Sequence, residues 1–342
     1  MNSIADLVLP SKFLQKLKFI IERHNKWRTD KHTGKSTSKV CSVKTQKERR
    51  SVLLLCYCQL WQMGYHFVTP TSLGGRHVYF LATRWDQEGV SLATMHSRIS
   101  ILRTYCCWIG KPGMVRPLGH YLPHRDVQRV TVAQRNLAWK ANDVSPADVI
   151  KNASVLDERL GVMLALQDAF GLRMKESIEM RPEFSLDKER STLEIYRGTK
   201  GGRPRSIPLD TEYKREIFEW ARKVASTNKS GRVRWPDLTW SQARRRYYYL
   251  LSEKLGINKN EKGVSSHGLR HGFAQEEYRN LTGMVTPIEG ADPSQVDVAQ
   301  HNAANIAVAK ALGHGRTSVT AFYYGSHGHS LRKNKTTGNS AG

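Results

Sequence analysis

The sequence predicts a mostly helical protein with one small antiparallel β-sheet, divided into an all-helical N-terminal domain and an α+β domain behind it. Apolar residues recur at helical spacing through most of the first third of the chain. Residues 192–209 alternate as two strands about a glycine-rich turn. Helical periodicity then returns as far as Leu312, and 342 residues suffice for two separate cores.

Taken in order, Phe13, Leu14, Leu17, Ile20 and Ile21 mark a first helix. Residues 24–50 are polar and rich in Lys and Arg around Gly34, Ser36, Thr37 and Ser38, and read as a mobile basic loop. Residues 52–63 are strongly apolar (Leu53, Leu54, Leu55, Tyr57, Leu60, Trp61) and predict a buried helix ended at Gly64. Thr69 or Thr71 caps a third helix through Leu81 and Trp85 that stops at Gly89. Ser91 caps a fourth, with Met95, Ile99, Leu102, Tyr105 and Trp108 on one face. These short helices make a compact all-α domain over residues 1–125.

Gly110, Pro112, Gly113, Pro117 and Pro123 then interrupt, and residues 126–148 read as a linker with a helix around 130–140. Ser145-Pro146-Ala147-Asp148 is an N-cap signal opening the second domain, 149–342. It begins with an apolar helix over 155–170, ended by Gly171. The strands around Leu193 and Ile207 flank the turn Gly198-Thr199-Lys200-Gly201-Gly202-Arg203. Helices follow over 213–224, 240–255, 267–278 and 297–312.

The chain carries 54 Lys+Arg against 30 Asp+Glu, a net charge of +24. Such an excess repels itself and points to a polyanion partner, above all nucleic acid, because the basic residues spread along the whole chain. Apolar residues make up 39% and mean hydropathy is −0.53. No run of about 18 apolar residues exists to span a membrane. The start, Met1-Asn2-Ser3-Ile4-Ala5-Asp6, lacks the basic n-region of a signal peptide, so a cytoplasmic, nucleoid-associated location is expected. Cys41, Cys56, Cys58, Cys106 and Cys107 have spacings that fit neither a disulfide framework nor a zinc site, and read as buried reduced thiols.

The residues that suggest chemistry lie in the second domain. Arg173 and Arg270 each follow a Gly-Leu and open a helix, where planar guanidinium groups and free amides suit a phosphate. His267 shares a helical face with Arg270 and can bond a phosphate oxygen or assist a nucleophile's proton. His271 makes a pair with His267, but the Gly-Leu-Arg between them argues against a metal site. His314, in Leu-Gly-His-Gly-Arg, is suited to a further phosphate bond. Lys200, among glycines at the hairpin tip, can protonate a leaving oxygen. Tyr323 supplies a hydroxyl that neighbouring cations can activate. Each alone is more often a surface ion pair, a polar residue or a core tyrosine; the reading rests on the set.

In this order and spacing the set resembles the tyrosine recombinases, the phage-type integrases. Gly171-Leu172-Arg173-Met174-Lys175-Glu176 resembles the family's first arginine box, with Glu176 in support. Thr199-Lys200-Gly201-Gly202 is similar to its lysine hairpin, and His267-Gly268-Leu269-Arg270-His271 with Leu312-Gly313-His314 to its second box. Tyr323 falls at the usual offset from His314. The resemblance implies catalysis by Arg173, Lys200, His267, Arg270, His314 and Tyr323, with Glu176 and His271 supporting. It implies site-specific cutting and rejoining of double-stranded DNA at attachment sites through a 3′-phosphotyrosyl intermediate, with no metal, cofactor or ATP. A clamp around DNA, a tetramer at a Holliday junction, an accessory directionality factor and a mobile-element or phage origin go with it.

Lys26, Arg28, Lys31, Lys35, Lys39, Arg49, Arg50, Arg203 and Arg205 are the expected phosphate-backbone contacts. Two features depart from the family pattern. Residues 280–300 look like an insertion, and the tail after Tyr324 is short and polar. A catalytically silent DNA-binding protein on the same fold, or a topoisomerase of type IB, are the alternatives.

Overall fold

Phe13, Leu14, Leu17 and Ile21 all lie on the buried side of the first helix, α1, Ser11–His24. The computed structural model describes residues 9–30, 33–199 and 203–328. The chain divides into two units, Met1–Arg129 and Val130–Gly342, the boundary falling inside the stretch 126–148. It is mostly helical with small antiparallel sheets.

In the first unit, α2 (Val43–Gln62), α3 (Gly75–Gln87) and α4 (Leu92–Trp108) pack with α1 around Leu17, Leu53, Leu60, Leu81, Trp85, Met95 and Leu102. A short helix, α5 (Leu118–Tyr121), adds Leu118 and Tyr121 to that core. The Tyr57 and Tyr105 hydroxyls both donate to the Pro70 carbonyl, and Trp85 Nε1 donates to Gln59 Oε1 at 2.9 Å, so these aromatic polar groups are paired.

Two expectations for this unit fail. Residues 24–50 are not a loop. They form a hairpin of β1 (Trp27–Thr29) and β2 (Ser36–Val40), paired Trp27 to Val40 and Thr29 to Ser36, and then the first turns of α2, capped by Ser42. Trp108 Nε1 ties the hairpin down through Thr29 Oγ1 at 2.8 Å. Neither Thr69 nor Thr71 caps a long helix: Pro70–Ser72 is a single 3-10 turn, and α3 starts at Gly75. Cys56 and Cys106 are buried free thiols, each raised to about 12 by burial; Cys107 is half-buried.

In the second unit the predicted helix over 155–170 is two helices, α6 (Pro146–Leu156) and α7 (Glu158–Phe170). Asp157 breaks them apart, since its extended backbone ends one helix while its carboxylate caps the next at Leu160 N, 3.1 Å away. The same carboxylate accepts from Trp235 Nε1 and Arg246 Nη2. Nearly every residue of α7 is buried, which makes it the axis of this core. The predicted helix around 130–140 is absent: only Lys140–Asn142 forms a 3-10 turn. Trp139 is buried there instead, donating from Nε1 to Ser265 O at 2.7 Å.

After α8 (Met174–Glu179), β3 (Leu186–Asp187), β4 (Thr192–Ile195) and β5 (Arg205–Pro208) form an antiparallel sheet in that order, with Ile195 opposite Arg205. Then come α9 (Glu212–Ser226) and α10 (Trp240–Tyr248), the latter running on into a π-helical turn, Tyr249–Lys254. The remaining helices are α11 (His267–Thr282), α12 (Val298–Ala311) and the four-residue α13 (Ala321–Tyr324). Phe273, Ala274, Tyr278, Val308, Leu312, Tyr323 and Tyr324 pack these last three together. The stretch expected as an insertion, 280–300, holds two 3-10 turns, and its Ile288 packs against this cluster.

Candidate active site

Gly171 closes α7 with φ +55°, and a Cβ there would stand 2.3 Å from the Phe273 ring, so glycine alone fits. The turn aims the Gly171 carbonyl at Arg270 and leaves Arg173 as the N-cap of α8. One turn into that helix, Glu176 accepts from the Arg173 backbone N–H at 2.8 Å and from Arg173 Nη1 at 2.7 Å.

Arg205, expected on DNA, is a correction. Its side chain is 1% exposed, and its Nη1 and Nη2 donate to the two oxygens of Glu176 at 3.0 and 2.7 Å. The strand alternation explains it: Arg205 has the same parity as the buried Ile207 and Leu209. Its stem also lies beneath Gly313, where an added Cβ would meet Cδ at 3.2 Å. Burial works to raise the Glu176 carboxyl, but the hydrogen bonds and charge of Arg205, with Arg173 beside them, hold it at about 2.

Arg270 is fully buried on the first turn of α11. It donates to the Gly171 and Leu312 carbonyls, and its Nε reaches the Tyr323 hydroxyl at 3.2 Å. Arg173 Nη2 shares the Leu312 carbonyl at 3.4 Å, which draws the two guanidinium groups together. No carboxylate pairs with Arg270 among the described residues. Burial, and then the Arg173 and Arg205 cations against the opposing pull of Tyr323, bring its guanidinium down to about 10, so it stays charged.

His314 Nε2 lies 3.4 Å from the Tyr323 hydroxyl and 3.5 Å from Arg270 Nη2. The Tyr323 ring is 6% exposed and sits among three imidazoles, with centroid distances of 4.8 Å to His271, 5.4 Å to His314 and 5.8 Å to His267. Burial lowers His271 to about 4, and its Nδ1 faces the Tyr323 carbonyl at 3.3 Å. His267 is also pushed down, by its crowded surroundings first and then by His271, Arg270 and Arg173. It keeps an exposed face, however, and solvent limits that push.

Arg173, Glu176, His267, Arg270, His271, His314 and Tyr323 are thus brought together, while Lys200 lies outside the described residues, as does Lys31. Lys26, Arg28, Lys35, Lys39, Arg50 and Arg203 are exposed. Arg49 is half-buried, donating to the Asn25 and Trp27 carbonyls with its guanidinium over Trp108. The sequence reading missed Gln275, one turn beyond His271, whose Nε2 donates to the Tyr323 carbonyl at 3.1 Å. The His267, His271, Gln275 spacing along one face was the available signal.

Residues 134–276 match the family model described as Integrase. That segment contains Arg173 and Arg270 and stops short of His314 and Tyr323. Among solved structures, a lambda integrase dimer bound to a COC′ core site is similar at 14% identity, covering 92% of this chain and 94% of that one, with a TM-score of 0.57. A lambda integrase tetramer bound to a Holliday junction also gives 0.57 at 14% identity, over 91% of this chain and 78% of that one. The Tn1549 transposon integrase in complex with transposon right end DNA gives 0.54 at 16% identity, over 86% and 95%. No curated protein sequence matches the chain. The likeness to these structures establishes the fold, a helical chain with small antiparallel sheets of the kind seen in the lambda and Tn1549 integrases, and residues 134–276 are similar to the Integrase family.

Proposed function

We propose that the protein is a tyrosine recombinase of the phage integrase type, which cuts and rejoins double-stranded DNA at specific sites with Tyr323 as the nucleophile. The carrying observation is the environment of its phenol: buried, 3.2 Å from the Nε of a fully buried arginine and 3.4 Å from an imidazole nitrogen. Arg173 and Arg205 share one buried carboxylate, Glu176, and Arg270 has none among the described residues, so the site holds an excess of fixed positive charge. An anionic phosphodiester balances that excess.

In this reading the Tyr323 oxygen attacks phosphorus, forming the P–O(Tyr) bond and breaking P–O5′. Arg173 and Arg270 hold the non-bridging oxygens, whose charge grows in the transition state. The phenol proton passes to the His314 imidazole, and Lys200 gives the leaving 5′ oxygen its proton. Attack by a 5′ hydroxyl on the phosphotyrosine reverses both transfers and reseals a strand, so the covalent bond conserves the energy and no nucleotide is consumed. Synapsis of four copies, and the choice of attachment sites, belong to the same proposal.

The test is to trap the protein on nicked suicide duplexes cut from DNA flanking its gene, in excess EDTA. A covalent adduct at a DNA 3′ end, with a free 5′ hydroxyl opposite, is the expected result. Tight binding with no adduct would overturn it in favour of a silent DNA-binding protein.

A further inference from the structure

Tyr323 sits on α13, which is four residues long and too short to hold itself in place. Its backbone bonds into the preceding turn are few: Tyr323 N and Tyr324 N both donate to Thr320 O, at 2.8 and 3.4 Å. Ala133 N donates to the Ala321 carbonyl at 2.9 Å, and the rest of the anchoring comes from side chains. Gln275 and His271 hold the Tyr323 carbonyl from the side of the site. A polar chain that the proposed chemistry does not use, half-buried at Asn305 and His301 and buried at Tyr324, Tyr278 and His327, meets the same segment.

Tyr324 is fully buried, and its hydroxyl donates to Asn305 Oδ1 on α12 at 2.6 Å. Thr320 Oγ1, just before α13, lies 3.1 Å from the same oxygen. Thr320 Oγ1 carries one proton and also lies 2.7 Å from the Thr317 carbonyl, so the Tyr324 hydroxyl is the donor that marks the atom it meets as the amide oxygen. Asn305 Nδ2 is then the donor toward His301 Nε2, at 2.8 Å. His301 must accept there and carry its proton on Nδ1, which faces the Tyr278 hydroxyl at 2.9 Å. Tyr278 in turn donates to His327 Nε2 at 3.3 Å, with the two imidazole rings 4.8 Å apart. The Asn305 side chain thus meets Tyr324, Thr320 and His301 at once.

We propose that Asn305 is a positioning residue for the nucleophile: through Tyr324 and Thr320 it latches the segment bearing Tyr323 onto α12 and so fixes where the attacking hydroxyl stands. This inference rests on the reading of Tyr323 as nucleophile. The leverage is geometric. Tyr323 and Tyr324 are adjacent on one short helix, so a latch on one hydroxyl sets the rotation of the other, and in-line attack tolerates little displacement.

The experiment compares Asn305→Leu, Tyr324→Phe and the double variant in single-turnover adduct formation, with DNA affinity on the same nicked duplex and melting temperature alongside. Each single variant should slow adduct formation by about 3- to 10-fold, the factor one net hydrogen bond represents. DNA affinity should stay unchanged, and the double variant should be no slower than the slower single, because the bond that Tyr324→Phe removes is already lost in Asn305→Leu. Wild-type rates, multiplying losses in the double, or a rate loss matched by weaker affinity would each overturn the latch. Should Asn305→Leu not fold, Tyr324→Phe, which keeps the ring, carries the test with the same opposing outcomes. An adduct that survives Tyr323→Phe would remove the nucleophile reading itself, an outcome separate from failure of the latch.

Discussion

Two sets of basic residues, one from each unit, live in opposite environments. On the first unit Lys26, Arg28, Lys35, Lys39 and Arg50 are exposed and solvated. In the second, Arg205 and Arg270 are buried and Arg173 is mostly covered, each held by two or more hydrogen bonds to fixed acceptors. A solvated cation on a flexible stem stabilises a polyanion by releasing counterions, and salt erases the effect. A guanidinium locked in a covered site needs no reorganisation when charge develops on a phosphate, and it acts on the transition state. Net charge counts both kinds alike; only the fold separates them.

The largest expected effect is at Arg270. Arg270→Ala should lower single-turnover cleavage by about 10²–10³-fold or more, the scale of losing one preorganised donor. Arg270→Lys should not restore it, because one ammonium cannot serve the Gly171 and Leu312 carbonyls and the Tyr323 hydroxyl at once. A lysine variant with near-normal rate would show that only the charge matters.

Arg205→Ala breaks a buried pair and should cost about 3–5 kcal/mol of stability, with loss of cleavage because Glu176 no longer sits squarely under Arg173. The salt dependence of DNA binding should not change. A flattened slope in this variant would return Arg205 to the population of DNA contacts.

A third expectation concerns pH. His271 is buried and held at about 4, while an unfolded chain's histidine titrates near 6.5. Between those values the unfolded state binds more protons, so stability is present above about 6.5 and falls as pH drops towards 4. His271→Gln should flatten that part of the stability curve, as read from melting temperatures. An unaltered curve would show that His271 is not the group responsible.

The smallest effect belongs to the exposed set. Replacing Lys26, Arg28, Lys35 and Lys39 by alanine should reduce the salt slope of DNA affinity by about one for each phosphate that is no longer neutralised. The cleavage rate of bound DNA should stay as it was. A slope identical to wild type would mean that the hairpin faces solvent in the complex.

The reach of the sequence follows the same division. Arg173, Glu176, Arg270, His314 and Tyr323 were legible because short motifs with glycine turns announce helix ends, and helix ends position them. Arg205 was misread although its parity with Ile207 and Leu209 was in plain view, since its charge outweighed its strand position. The hairpin at 27–40 was hidden because its strands are short and almost wholly exposed, so no apolar alternation marks them. The break at Asp157 left no apolar signal either: it comes from a carboxylate that caps one helix and also holds Trp235 and Arg246, partners far away in sequence. Trp139 lies in a stretch with no periodicity, and its burial depends on the Ser265 carbonyl.

Identifying the residue that carries the DNA tests the account most directly. The protein trapped on a suicide duplex is digested, and the peptide retaining the nucleotide is sequenced by mass spectrometry. The phosphate is expected on Tyr323, whose hydroxyl meets Arg270 and His314, and not on Tyr324, whose buried hydroxyl is turned to Asn305 and raised well above the usual phenol range by burial. Phosphate on Tyr324, or on any residue other than Tyr323, would contradict it.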